Sequence, residues 1–208
     1  MTEELEGTTR QDRRESRGRD TRRRLLDAAV ASLIENGVAR TTTLEVQRRA
    51  ASSRGALLHH FRNHAVLLSA TVEELVRRNE TGVQQIQAGF QEIADPVERA
   101  VRTMAAIVTQ PSYMAEIELW AVARTDEELR SALVAAERVA RKDSERILSQ
   151  VFAATKNRPG HEAVMVLSLE FLRGLALSGV LRKNAEKRDQ LLMQWVWAVR
   201  ILLDHQPA

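Results

Sequence analysis

Apolar residues recur through this chain at the three- and four-residue spacing of an amphipathic helix, and runs that alternate apolar with polar residues are nearly absent. The first periodic segment begins at Asp20 and ends at Gly37, a residue type that often follows a helix C-terminus. β-branched residues are concentrated only in the short segment Arg40 to Thr43. The pattern predicts an all-α fold. The apolar positions of the first helix are Leu25, Leu26, Ala29, Val30, Leu33 and Ile34.

Short helices are predicted to follow the first one. The sequence TTLE, residues 42–45, has the form of a capping box, in which a hydroxyl and a carboxylate satisfy free amides at a helix start. A second helix is therefore expected over about Thr43 to Ala50. The sequence AASS, residues 50–53, interrupts it, and either serine can cap a third helix that ends near Phe61. A fourth helix, about His64 to Arg78, completes what looks like a small helical unit joined by brief turns.

The rest of the chain predicts longer helices. Breaks are expected at residues 79–82, 94–96 and 156–160, where glycine or proline interrupts the apolar pattern. The predicted helices run from about Pro96 to Gln110, Pro111 to Trp120, Thr125 to Thr155, His161 to Arg182 and Ala185 to Asp204.

Positive charge is concentrated in the N-terminal part of the chain, although the net charge is only +3. Residues 1–64 contain 13 Lys and Arg residues and 9 Asp and Glu residues, whereas residues 65–208 contain 18 and 19. Eight arginines lie between Arg10 and Arg24, with only three acidic residues among them. Such a run is typical of a solvated disordered tail, a nucleic-acid arm or a membrane-surface patch. The sequence that follows the run is needed to distinguish these three alternatives.

Composition excludes several classes of protein. The chain has no cysteine, which removes disulfides and thiolate chemistry and is typical of a reducing cytosol. Its apolar runs are all shorter than the roughly 20 residues that a membrane span needs, and its N-terminus lacks the apolar stretch of a signal peptide. We therefore expect a cytoplasmic protein that does not contact a membrane.

Three histidines, His59, His60 and His64, are the nearest approach to a metal site. His60 and His64 are one helical turn apart, but no cysteine or carboxylate lies near them in sequence, and the intervening residues are predicted to end the helix. A Ser/His/Asp order, a P-loop and a glycine-rich dinucleotide turn are all missing from the sequence. We therefore predict no metal, no cofactor, no catalytic residue and no enzymatic activity.

Nucleic-acid binding explains the same segment with fewer assumptions. A short helix, a turn and a second short helix would let the second helix enter a DNA major groove, which is about 12 Å wide. Gly55, near the start of that helix, lowers helix propensity by about 1 kcal/mol relative to alanine, and it suits a place where another surface approaches closely. Leu57 and Phe61, four residues apart, would face the core.

The residues from Arg22 to Val72, RRRLLDAAVASLIENGVARTTTLEVQRRAASSRGALLHHFRNHAVLLSATV, resemble the N-terminal DNA-binding domain of the TetR/AcrR family of transcriptional regulators. The shared features are an apolar first helix that ends near Gly37, threonines that open the second helix, SRGALLHHF as recognition helix, and LL early in the fourth helix. Ala51 departs from the family pattern, which has glycine there, and an alanine forced to positive φ would be strained. Leu58 stands where an aromatic residue is usual, and His64 where a lysine is frequent.

The resemblance implies an arm over residues 1–19, basic and disordered, a helix-turn-helix DNA-binding domain over residues 20–66, and a helical ligand-binding and dimerisation domain over residues 67–208. The implied function is a ligand-responsive regulator, a repressor released from a palindromic double-stranded operator by a small apolar or aromatic effector. The residues predicted to contact DNA are Arg22, Arg23, Thr42, Thr43, Ser53, Arg54, Gly55, Leu58, His59, His60 and His64.

The last two helices carry an apolar arc too broad for packing on one side only. They are either central core helices or the interface of a symmetric homodimer. The predicted interface residues are Leu167, Phe171, Gly174, Leu175, Ser178, Leu192, Trp195 and Val199.

A second set of apolar and aromatic residues is predicted to line an effector pocket, although ordinary core is the more common explanation for any single one of them. These are Met104, Ile107, Tyr113, Met114, Ile117, Trp120, Phe152 and Phe171. The competing function is a helical protein-interaction scaffold that uses the same apolar faces without specific DNA binding. Sequence-specific duplex binding would separate the two.

Overall fold

The computed structural model describes the backbone of residues 2–205 and the side chains of residues 15–78, 82–138 and 141–205. All regular secondary structure in the described backbone is helical, as the apolar spacing predicts. The helices are α1 (Thr2–Asn36), α2 (Thr43–Arg49), α3 (Arg54–His60), α4 (His64–Ala88), α5 (Pro96–Ile107), α6 (Pro111–Ala123), α7 (Glu127–Val151), α8 (His161–Gly179) and α9 (Ala185–Leu203). Short 3₁₀ turns lie at Val38–Arg40 and Ala153–Thr155.

The first helix begins earlier than the sequence predicts. Residues 1–19 are expected to be a disordered arm, whereas the backbone is helical from Thr2 onward. Ion pairs one turn apart accompany this extension, with Arg19 Nη1 3.9 Å from Glu15 Oε2 and Arg23 Nη2 3.8 Å from Asp20 Oδ1. The arginines at positions 10, 13 and 14 lie outside the residues whose side chains are described.

The fourth helix continues past the break expected at residues 79–82 and ends at Ala88. A single glycine, Gly82, disfavours helix there by about 1 kcal/mol, which a helix of 25 residues tolerates.

The described chain divides into two compact units. The first comprises the residues up to Leu75 together with Ala115–Glu137, and the second comprises Val76–Met114 together with the residues from Arg138 onward. This division differs from the expected boundary near residue 66, because the first half of α4 and a segment of α6 and α7 belong to the first unit. Hydrogen bonds within that unit include one from Ser69 Oγ to the carbonyl of Ala132 at 3.0 Å.

Each unit has its own apolar core. Helices α1 to α4 contribute the first one, whose members include Leu25, Ala29, Val46, Leu57, Phe61 and Leu67. Helices α5, α7, α8 and α9 contribute most of the second one, whose members include Val101, Met104, Phe152, Leu172, Val196 and Val199. Burial of these side chains is the main force that holds short helices such as α2 and α3 in place.

Candidate nucleic-acid interface

The start of α2 is capped as the sequence predicts, but only in part. Thr42 is the N-cap residue, and its hydroxyl accepts a hydrogen bond from the backbone N–H of Glu45 at 3.2 Å. The predicted reciprocal bond from the Glu45 carboxylate is not what the structure shows, because that carboxylate accepts hydrogen bonds from the guanidinium groups of Arg48 and Arg49. Charge-assisted bonds to two arginines are stronger than a bond to one amide.

The Glu45 carboxylate holds a small ionic network on α2. Hydrogen bonds from Arg48 and Arg49 lower its pKa to about 2. Arg49 Nη1 also donates to Glu35 Oε2 at 2.7 Å, which ties the second helix to the end of α1. Arg48 stays exposed despite its bond to Glu45, so its remaining N–H groups face solvent.

The turn between α2 and α3 contains a strained residue. Ala51 has φ +46°, in the left-handed region that favours glycine. The strain predicted from the sequence is therefore present. The turn is closed by backbone hydrogen bonds from the N–H of Ser52 to the carbonyl of Gln47 at 3.0 Å and from the N–H of Ala51 to that of Arg48 at 3.3 Å.

Helix α3 has one buried face and one exposed face. Ser53 is its N-cap, and its hydroxyl accepts from the backbone N–H of Ala56 at 3.1 Å. Leu57 and Phe61 are 0% and 1% exposed and anchor the helix in the core of the first unit. The opposite face presents to solvent the side chains or backbone of Ser53, Arg54, Gly55, Leu58 and His59, all of them predicted DNA contacts.

Gly55 leaves open space above the helix. A Cβ built there would meet only Ser53 Oγ, at 4.0 Å, so the protein itself does not require glycine at this position. An exposed glycine in a helix whose propensity it lowers is typical of close approach by another molecule.

His60 is half-buried beside the exposed face, its ring 5.1 Å from that of His59. Burial lowers the pKa of His60 from its usual value, and the neighbouring charges of His59 and Arg22 lower it further. The lowered pKa favours the neutral form of His60, which would meet a phosphate as an N–H donor.

His64 and Arg22 are both engaged within the unit. His64 Nε2 donates to the carbonyl of Thr41 at 2.6 Å, and the Arg22 guanidinium lies 5.5 Å from the centre of the Phe61 ring. Arg22 and Arg23 are exposed on α1, and Thr42 and Thr43 open α2.

Among the described residues, no cluster of three histidine or carboxylate side chains suits a metal ion.

One part of this unit is invisible to local sequence reasoning. The backbone N–H of Val38 donates to Glu118 Oε1 at 2.8 Å, across 80 residues of sequence. Gly37, with φ +75°, lies close to the same carboxylate, and a Cβ there would lie 2.7 Å from Glu118 Oε1. The glycine that the sequence pattern assigns to a helix end thus also admits the carboxylate of α6.

The predicted effector-pocket residues are divided between the two units. Ile117 and Trp120 belong to the first unit, where Trp120 Nε1 donates to Glu137 Oε1 at 2.8 Å. The other six lie in the second unit: Met104, Ile107 and Phe152 are buried core, and Tyr113, Met114 and Phe171 pack against it.

A cavity of about 250 Å³ in the second unit has a different lining. Its polar groups come from Gln87, Gln91, Arg99, Thr103 and Gln150, and none of the eight predicted pocket residues borders it. Thr103 is 2% exposed, and it borders the cavity. Arg99 Nη1 donates to the carbonyl of Ile93 at 2.7 Å, which orients the guanidinium at the cavity.

Helices α8 and α9 combine a buried and an exposed apolar surface. Leu192 and Val199, two of the predicted interface residues, are 7% and 0% exposed and lie in the unit's own core. The ring of Trp195 stacks on that of Phe171 at 4.5 Å, and its Nε1 donates to Ser168. Exposed apolar or small positions on the two helices include Val166, Leu167, Gly174, Leu177, Ser178, Met193, Trp197 and Ile201.

Comparison with known proteins gives a family match near the N-terminus of the chain and a similar curated relative. Residues 25–78 match the family described as bacterial regulatory proteins, tetR family. The HTH-type transcriptional regulator Rv2912c of Mycobacterium tuberculosis is 35% identical over 131 residues, which are 60% of this chain and 62% of that protein. The chain therefore spans less than two thirds of the length of this relative.

Solved structures share the fold at low sequence identity. A transcriptional regulator from Rhodococcus sp. superposes with a TM-score of 0.60 at 21% identity, covering 89% of this chain and 99% of that one. The multidrug binding protein EbrR, complexed with proflavin, superposes with a TM-score of 0.57 at 19% identity, covering 84% and 99%. Among the described residues, no helix is long and apolar enough to cross a membrane.

Proposed function

We propose that this chain, whose residues 25–78 match the family described as bacterial regulatory proteins, tetR family, is a ligand-responsive, DNA-binding regulator of transcription that acts in the cytoplasm as a repressor. The observation that carries the proposal is the exposed face of α3. Arg54, Gly55 and His59 lie open to solvent on a helix whose other face is fixed in the core by Leu57 and Phe61. Such a helix can enter a major groove without unfolding any part of the unit.

The remaining predicted contacts suit the phosphate backbone. Thr42 and Ser53 stand at the starts of α2 and α3, where hydroxyl and amide groups are well placed for phosphate oxygens. Arg22 and Arg23 extend the basic surface along α1. Binding of DNA to this surface would explain why positive charge is concentrated in the N-terminal part of the chain.

The proposal includes a homodimer formed through α8 and α9. Trp197 is 64% exposed and Leu177 54%, and a Cβ added at Gly174 would meet no described atom within 4 Å. An apolar strip of this kind with small residues beside it suits close packing against a second copy. A twofold dimer would present two α3 helices to a palindromic operator.

The effector site is the second part of the proposal. EbrR binds proflavin, which supports a small-molecule effector for the shared fold. In this chain three of the predicted lining residues, Met104, Ile107 and Phe152, are buried core, whereas the cavity beside Arg99 and Thr103 carries polar side chains. We therefore favour a small effector that offers hydrogen-bonding groups to glutamine amides, a guanidinium and a hydroxyl. At about 250 Å³ the cavity is smaller than most drug-sized pockets.

The experiment that tests DNA binding is the selection of bound fragments from the source genome with the full chain. One enriched palindromic motif is expected, and it should disappear for an Arg54→Ala/His59→Ala variant that melts like the wild type. Binding to no duplex, or equal enrichment with both proteins, contradicts the proposal.

For the effector site, small carboxylic acids and amides are screened by their effect on Tm without DNA. A binder should lose its effect with Thr103→Val and keep it with Thr109→Val, since Thr109 bonds its own helix.

A further inference from the structure

Two leucines are exposed on the helices that would face DNA. Leu44, the second residue of α2, is 73% exposed, and Leu58, the fifth residue of α3, is 43% exposed. Their neighbours Val46 and Leu57 point inward and are fully buried. Neither leucine is needed to fill the core of the first unit.

The surroundings of the two leucines are basic. Leu44 is one helical turn before Arg48, and Leu58 is one helical turn after Arg54, so each leucine shares a helix face with an exposed arginine. The carboxylate of Glu45, which follows Leu44 in sequence, accepts hydrogen bonds from Arg48 and Arg49. An apolar side chain set among cations fits a partner that is anionic overall and carries isolated apolar groups.

The DNA major groove has that chemistry. Its edges are polar and its backbone is anionic, and the principal apolar group that it offers is the C5-methyl group of thymine. A leucine cannot hydrogen-bond to a phosphate or to a guanine edge, but its methyl groups can pack against that of thymine.

We propose that Leu58, with Leu44 as a second contact, reads thymine methyl groups in the major groove. The proposal rests on the proposed function and adds a specificity role for two residues, one of which, Leu44, is not among the predicted contacts. Because four residues of helix rise about 6 Å, the thymine read by Leu58 should lie within about two base pairs of the base or phosphate that Arg54 meets.

The test replaces thymines of the selected operator one at a time by deoxyuridine, which lacks only the methyl group. Wild-type protein should bind about fourfold more weakly when one particular thymine of each half-site is replaced, the factor that burial of one methyl-sized group supports. Leu58→Ala should bind the thymine and uracil duplexes equally well at that position. Leu44→Ala should do the same at a different thymine.

Ile34→Ala is the matched control, because Ile34 is 38% exposed on α1, outside these two helices. It should keep the full response to each deoxyuridine. Unchanged Tm values for all three variants show that the fold is intact. The inference is overturned if the wild-type protein binds every deoxyuridine duplex as tightly as the parent duplex. It is also overturned if Leu58→Ala keeps the wild-type ratio of affinities for the thymine and uracil duplexes. DNA binding itself stands in both cases. A protein that binds no duplex contradicts the proposed function itself.

Discussion

Glu118 Oε1 accepts a hydrogen bond from the backbone N–H of Val38 at 2.8 Å, so a carboxylate of α6 closes the end of α1. Glu118→Ala leaves this N–H without its partner, and we expect the free energy of unfolding to fall by about 1 to 2 kcal/mol. Glu118→Gln keeps an acceptor and should lose less. Chemical denaturation of the three proteins measures the difference, and an equal loss for both variants would contradict the assignment.

Gly37 makes the same contact testable from the other side. Gly37→Ala combines left-handed backbone strain of about 1 to 2 kcal/mol with a Cβ 2.7 Å from the Glu118 carboxylate. In a Glu118→Ala background only the backbone strain remains, so Gly37→Ala should be less harmful there. A double-mutant cycle on the free energy of unfolding gives the coupling directly.

Gly55→Ala should separate stability from function. The structure has room for the added Cβ, and alanine in place of glycine within a helix stabilises by up to about 1 kcal/mol. The same methyl group would stand between α3 and the DNA, so operator affinity should fall at least tenfold. Thermal denaturation and fluorescence anisotropy measure the two effects. An alanine variant that binds the operator like the wild type would show that no close approach occurs at this position.

Ala51→Gly should stabilise the turn before α3. Removal of the Cβ relieves the strain at φ +46°, by about 1 to 2 kcal/mol, while the greater freedom of glycine in the unfolded chain offsets up to about 1 kcal/mol of this. A net gain of about 0.5 to 1 kcal/mol is expected in denaturant titrations. Ala51→Val, with a β-branched side chain in the same conformation, should destabilise. If glycine is the less stable variant, the strain does not reside in this residue.

The contacts predictable from the sequence are those within one or two helical turns. The caps at Thr42 and Ser53 and the inward positions of Leu57 and Phe61 follow from local hydrogen bonding and helical period. The bond between Glu118 and Val38 has no local signal, because it joins distant segments. The second half of the capping box does not form although it is local, because the Glu45 carboxylate accepts hydrogen bonds from Arg48 and Arg49 instead.

Helix α9 shows the limit of periodicity in another way. Its apolar arc is broad enough for two contacts, and the pattern does not say which edge its own unit covers. Val199 falls on the covered edge and Trp197 on the open one, two positions apart in sequence. Only the packing of α5 and α8 decides between them.

His60 predicts opposite effects of pH on stability and on DNA binding. Its pKa is lowered from 6.5 in the folded protein, so below pH 6.5 the unfolded chain binds more protons than the folded one. The free energy of unfolding should therefore fall as the pH drops from 6.5 through the lowered pKa. Protonation also adds a positive charge beside the DNA, so affinity for the operator should rise over the same range. His60→Gln should flatten both dependences relative to the wild type, in denaturation and in anisotropy at pH 5.5 and 7.5. A variant with the wild-type pH profiles would assign the titration to another group.

Trp197→Asp tests the proposed dimer. The side chain is 64% exposed, so the change should leave the unit's core intact, but it places a charge in the apolar strip that a second copy would cover. Light scattering after size exclusion should give a dimer for the wild type and a monomer for the variant at micromolar concentration. Val134→Asp is the matched control, because Val134 is 50% exposed on α7 in the other unit, and this variant should remain a dimer.

Since a palindromic operator engages both subunits, Trp197→Asp should also lose most of its operator affinity while keeping weak binding to a half-site. A dimeric Trp197→Asp protein would place the interface on a different surface, and a monomeric wild type would remove the dimer from the proposal.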